Sequence, residues 1–282
     1  MKLNPHLRHV TIIATLALLG ACTTINYTSQ QFVPRDAGKI SLLKTIAPAY
    51  AIENLEFVQA DGAVSRGVYV RKPDAEFTVL YFMGSGVRVD ANGLYFSKPL
   101  TELNANIISF DYRGFGRSDS SGQPHGLREI GSDSVALYDY VRKLVPGKLI
   151  VHGHSFGSFV AANLASIRPV ETLVLEGTGT TARAYADNMI PWFAKAFVTV
   201  NLDQELLRID NQAALQNYTG SVLIINGAND VQTPASTARS LYDSLNRSNK
   251  RYAEIADTGH MNALSKPEAL KIYREFIQGK FQ

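Results

Sequence analysis

From Glu53 onward the chain alternates short apolar runs with longer amphipathic stretches. TVLYFM (78–83), NIISF (106–110), KLIVH (148–152) and SVLIIN (221–226) are continuous apolar runs, the pattern of central strands covered on both faces. Strands are expected near 53–59, 66–72, 77–83, 106–110, 148–152, 171–175, 221–226 and 251–256. Between them, helical spacing of apolar residues places helices near 92–104, 130–144, 156–167, 234–247 and 267–279. The first two strands flank Asp61-Gly62 and form an expected antiparallel hairpin at the sheet edge. The whole pattern predicts one α/β domain over 51–282, with a mostly parallel eight-stranded sheet and helices on both faces.

One stretch breaks the alternation. The 44 residues from Gly177 to Gly220 lie between the strands at 171–175 and 221–226. Within it MIPWFAKAFV (189–198) is apolar at nearly every position, either a helix packed on the domain or a lid over an acyl-binding groove. Met189, Trp192 and Phe193, together with Met83, are the substrate-pocket candidates.

Composition changes the picture mainly at the N-terminus. With 45% hydrophobic and 10% aromatic residues in 282, the chain can build a large core, and a net charge of +3 with scattered Lys and Arg argues against a nucleic-acid partner. Lys2 and Arg8 precede an apolar run from Val10 to Gly20, an export signal well short of the roughly 20 residues of a membrane span. Leu19-Gly20-Ala21-Cys22 resembles the lipobox of bacterial lipoproteins, and Cys22 is the only cysteine, so no intramolecular disulfide can form. The resemblance implies cleavage after residue 21, acylation of Cys22 and a lipidated tether over 22–50, which is polar at first and without clear periodicity. Thr23, in place of an aspartate, makes the outer membrane, facing the periplasm, the expected location.

Chemistry concentrates in Gly153-His154-Ser155-Phe156-Gly157, which follows an apolar strand and opens a helical pattern. That strand–turn–helix setting is the one a G-x-S-x-G nucleophile elbow requires. A serine nucleophile needs a base, and the base needs an acid to fix its tautomer. Asp230 follows the strand at 221–226 and His260 follows the strand at 251–256, so Ser155, Asp230 and His260 all fall at strand C-termini, in the order expected for this motif. Glu176 is the reserve acid, and Asp257 is a turn former. The Phe156 amide and that of Ser85, or alternatively Gly86, are expected to form the oxyanion hole. His152 and His154 are expected to point to opposite sides of their strand and to be structural, not a metal pair.

On these residues the chain resembles the α/β-hydrolase superfamily, in particular compact acyl hydrolases carrying an Asp-Tyr-Arg-Gly-aromatic-Gly-x-Ser loop, here Asp111 to Ser118. The resemblance implies that this loop buttresses the oxyanion region and that 177–220, the position where these hydrolases insert their caps, forms a short helical cap. Met83 departs from the His-Gly-x pattern of many relatives, which removes a histidine from that loop. The implied function is a membrane-anchored serine hydrolase of carboxylic esters or thioesters, acting on a small-molecule or lipid substrate without cofactor or metal. A prolyl-aminopeptidase type of peptidase and a non-catalytic envelope-binding lipoprotein are the alternatives.

Overall fold

The computed structural model describes residues 23–29, 50–120 and 126–281, and of residues 94–97 the backbone only. Cys22 and the signal segment 1–21 lie outside the described residues. Ten strands are present among those described: β1 Thr23–Tyr27, β2 Ala51–Val58, β3 Val64–Arg71, β4 Phe77–Phe82, β5 Ala105–Phe110, β6 Leu149–His154, β7 Thr172–Glu176, β8 Val198–Leu202, β9 Ser221–Gly227 and β10 Lys250–Ile255. The helices are α1 Val89–Glu102, α2 Leu127–Leu144, α3 Phe156–Ile167, α4 Ala182–Asn188, α5 Gln204–Leu207, α6 Asn211–Leu215, α7 Ala235–Ser244 and α8 Pro267–Ile277.

Eight strands form one sheet in the order β10-β9-β7-β6-β4-β5-β3-β2. β2 and β3 pair antiparallel across the Asp61-Gly62 turn, β3 runs antiparallel to β5, and the remaining pairs are parallel. Both faces of the sheet are buried, which is why the central strands read as unbroken apolar runs. On one face Leu80, Ile108, Val151 and Leu173 pack with Leu137, Val160 and Leu164 from α2 and α3. On the other Val79, Ile107, Ile150 and Val174 pack with Leu270, Tyr273 and Phe276 from α8. Parallel pairing aligns the C-terminal ends of β4, β6, β7, β9 and β10 along one edge, where their loops converge.

Two expectations are corrected. Thr23–Tyr27, expected as the start of a loose tether, is a strand that pairs in parallel with β8 inside the cap, from Thr23↔Val198 to Tyr27↔Leu202. Its alternation TTINY, with Ile25 and Tyr27 packed against Ala186, Ile190, Ala194 and Val200, makes it part of the cap's own small core. The stretch 189–198 is not one helix: after Pro191 only a single 3-10 turn forms, Trp192–Ala194, and the chain then extends into β8.

Candidate active site

β6 ends directly in Ser155, whose backbone is strained, with φ 54° and ψ −120°. A non-glycine residue in that region costs on the order of 1–3 kcal/mol and persists only where its surroundings hold it. Here the Ser155 amide donates to the Glu176 carbonyl (2.8 Å), and the Ser158 amide donates back to the Ser155 carbonyl (2.9 Å). The flanking glycines are steric requirements. A Cβ on Gly153 would overlap the Gly157 carbonyl, and one on Gly157 would overlap the Phe82 carbonyl of β4. The serine is thus lifted at the head of α3 because helix and strand touch backbone to backbone beneath it.

The loops after β9 and β10 bring two partners to it. His260 Nε2 lies 2.8 Å from Ser155 Oγ, and His260 Nδ1 lies 2.8 Å from Asp230 Oδ2. Asp230 is buried, and every acceptor on it is used. Its Oδ1 accepts from the amides of Gln232 and Thr233 (both 2.9 Å), and its Oδ2 also accepts from the Thr233 hydroxyl (2.7 Å). Burial by itself would raise the Asp230 carboxyl. The hydrogen bond and charge of His260, with those from Thr233, outweigh it and hold the carboxyl below its ordinary value. The result is an acid held toward its ionised form, which orients the imidazole and favours a proton on Nδ1. Nε2 is then free to accept from the serine.

An oxyanion needs donors beside Ser155. The Phe156, Ser85 and Gly86 amides donate to no protein acceptor among the described residues. Phe156 opens α3, where the helix end favours negative charge. Gly84 abuts the elbow, its Cβ position 3.3 Å from Ser155 Cβ and 3.2 Å from His154 Nδ1. The chain leads from that contact straight into the Ser85 amide, with Gly86 one residue further out. The loop 111–118 supports this region through Tyr112, whose hydroxyl donates to the Met83 carbonyl (2.8 Å) and whose ring meets Phe156 edge-on at 5.4 Å. Arg113 anchors the same loop, donating to both oxygens of Asp133 (2.6 and 2.8 Å) and pairing with Asp61 of the edge hairpin.

The expectation for His152 and His154 is corrected. Residues two apart in a strand share a face, and both rings lie on the Glu176 side of β6. His152 Nε2 stands 3.3 Å from Glu176 Oε2 without hydrogen-bond alignment, and the Tyr273 hydroxyl faces Nδ1 at 3.4 Å. Glu176 therefore sits among buried histidines and does not reach His260 Nδ1, which faces Asp230. Asp257 is exposed at φ 55°, in a turn.

His154, assigned no task by the sequence, has one in the structure: its Nε2 lies 2.8 Å from the His260 carbonyl, as donor in the tautomer protonated there. Burial lowers its basicity against the opposing pull of Glu176, which favours a neutral ring. It acts through His260 as a positioning residue, and no local signal could reveal a partner 106 residues away. His154→Ala is expected to lower kcat about ten-fold with little change in KM. His154→Gln, which can still donate, should recover part of the loss in steady-state kinetics on the same soluble ester.

The four pocket candidates are placed otherwise than expected. Met83 is wholly buried in the core, Met189 is half-buried at the end of α4, and Trp192 and Phe193 are 84% and 48% exposed on the cap. Two cavities border the elbow instead. One of about 250 Å³ is walled by Tyr81, Val87, His154, Glu176 and Met261. The other, about 540 Å³ and mostly apolar, runs between α2, α3 and the cap and is walled by Leu127, Phe156, Phe159, Val160 and Ile209.

Residues 91–208 match the Alpha/beta hydrolase family. The uncharacterized protein YfhR of Salmonella typhi is 30% identical over 255 residues, covering 82% of each chain. The lysophosphatidylserine lipase ABHD12 of Danio rerio is 28% identical over 179 residues, 58% of this chain but only 46% of that one. Among solved structures, the Pyrococcus furiosus esterase Pf2001 superposes with a TM-score of 0.66 at 17% identity, over 87% of this chain and 96% of that one, a likeness of fold. With the strand order, the elbow and the converging loops already in place, these matches establish that the chain belongs to the alpha/beta hydrolase family.

Proposed function

We propose that this protein is a lipid-anchored serine hydrolase of carboxylic esters or thioesters, held at Cys22 in a bacterial envelope membrane. One observation carries the hydrolase reading: Ser155 Oγ, both nitrogens of His260 and the buried Asp230 carboxylate lie in one hydrogen-bonded line, 2.8 Å at each step. Ser155 Oγ attacks the acyl carbon as its proton passes to His260 Nε2, and the carbonyl electrons move onto oxygen opposite the Phe156 and Ser85 amides. Collapse of the tetrahedral adduct breaks the ester bond, and His260 returns the proton to the departing alcohol or thiol. Water then attacks the acyl-enzyme with His260 again as base, releasing the acid and restoring Ser155.

The apolar groove beside Phe156 supports an aliphatic acyl part. The name of the zebrafish relative, a lysophosphatidylserine lipase, points to acyl-ester substrates as well. Among the described residues no helix is long and apolar enough to cross a membrane, and the anchor is assigned to acyl chains at Cys22 on the lipobox pattern. A fluorophosphonate probe tests the hydrolase reading: one adduct is expected, located by peptide mass on Ser155. An adduct elsewhere, or none, would refute it. Across p-nitrophenyl esters of rising chain length, kcat/KM should depend on the acyl group; uniformly poor cleavage would contradict the groove assignment.

A further inference from the structure

The cap carries a surface that neither its own core nor the hydrolase domain covers. Ile190 and Ala194 turn inward, while Trp192, Phe193 and Phe197 stand 84%, 48% and 42% exposed, with exposed Lys195 among them. Trp192 and Phe193 meet edge to face at 6.0 Å. Three aromatic rings held in water within six residues are costly unless something covers them.

What covers them is indicated by the chain's own N-terminal side. Thr23 donates its amide to the Phe197 carbonyl (2.8 Å) and pairs with Val198. Cys22, the residue assigned the lipid, is joined to Thr23 by a single peptide bond. A lipid carried on Cys22 is therefore covalently tied to the strand end that pairs beside Phe197. Tryptophan and phenylalanine beside a lysine are the residues that settle at the level of lipid headgroups, the lysine complementing anionic ones.

We propose that the cap face bearing Trp192, Phe193 and Phe197 is a membrane-contact surface, seated in the interfacial zone of the bilayer that holds the acyl chains of Cys22. This rests on the lipid-anchor reading of Cys22 and extends it to substrate: the ester is an amphiphile drawn from that bilayer. The geometry ties the face to the site. Tyr185 and Asn188 of α4, the helix just before Trp192, line one small cavity with Gln232, Thr233 and Pro234 of the Asp230 loop. At the site itself Val231 and Met261, next in sequence to Asp230 and His260, are exposed apolar side chains.

Trp192 is the only tryptophan, so its fluorescence in the lipidated full-length chain reports this face alone. With phosphatidylglycerol–phosphatidylcholine vesicles, emission should shift to shorter wavelength. It should be quenched strongly by lipids brominated high in the acyl chain and weakly by those brominated near its end. Co-sedimentation with vesicles while Trp192 stays as open to aqueous iodide as in buffer would overturn the proposal. So would a vesicle-free dimer that already buries it. Failure to co-sediment would instead remove the anchor reading, and the proposal with it; the fluorophosphonate adduct reports on the hydrolase reading independently. Phe197→Glu should label at the wild-type rate and cleave a soluble short-chain ester normally, yet hydrolyse vesicle-embedded ester at least ten-fold more slowly. Equal rates on vesicles would refute the substrate assignment.

Discussion

Ser155→Ala is expected to lower kcat on a soluble ester by a factor on the order of 10⁵–10⁶ and to abolish fluorophosphonate labelling. The loss is large because the serine and His260 work as a unit: without Oγ there is no covalent intermediate, and His260 has no proton to take. The amides at Phe156 and Ser85 remain, so turnover some 10³–10⁴-fold above the uncatalysed reaction should persist. The substitution keeps Cβ and the strained φ of 54°, and it removes no hydrogen bond other than that to His260. The variant should melt within a few degrees of wild type, so that lost activity is read as lost chemistry. A folded variant retaining more than a tenth of wild-type kcat would place the nucleophile elsewhere.

Asp230→Asn is expected to cost on the order of 10⁴ in kcat through the imidazole tautomer. In the wild type, Oδ1 accepts from two amides and Oδ2 faces His260 Nδ1. An asparagine keeps its carbonyl on those amides and turns its NH₂ toward the imidazole, where the Thr233 hydroxyl can accept one of its protons. Nδ1 must then accept, the ring proton moves to Nε2, and His260 can no longer take a proton from Ser155. Nitrogen-detected NMR of the ring would show the reversal directly, whereas a merely unfolded variant would show free imidazole. Linkage adds a second signature. The folded Asp230 carboxyl lies below its ordinary value. It therefore contributes stability above the unfolded value of about 3.9 and loses it as pH falls through the folded value. Asp230→Asn should lack that part of the acid dependence in denaturant titrations.

The eight-stranded sheet and its three chemical loops were legible because each depends on local pattern. Strands buried on both faces must be apolar throughout, and a serine on a backbone-to-backbone contact needs Gly153 and Gly157. Asp230 and His260 follow from the same rule, since loops at the C-terminal ends of parallel strands converge wherever the intervening sequence leads. What was not legible depends on distant partners. TTINY is a strand only because β8 lies beside it, with Asn26 and Asn201 hydrogen-bonded across 175 residues of sequence. The fate of MIPWFAKAFV turns on that same pairing: Ile190 and Ala194 are claimed by a core that includes Ile25 and Tyr27, which leaves Trp192 and Phe193 outside. His154 was misplaced by assigning it a face opposite His152, where strand periodicity gives both the same one.

The pairing of β1 with β8 also imposes a timetable on synthesis. Thr23–Tyr27 is made early, but the strand it joins is complete only at Leu202, which follows at 5–20 residues per second after roughly 9–35 s. Through that interval the segment has no edge to add to. Once β8 is laid down, strand addition closes the cap core and fixes the N-terminal segment against it. The pairing that completes the cap is therefore made by residues synthesised 175 positions before their partners.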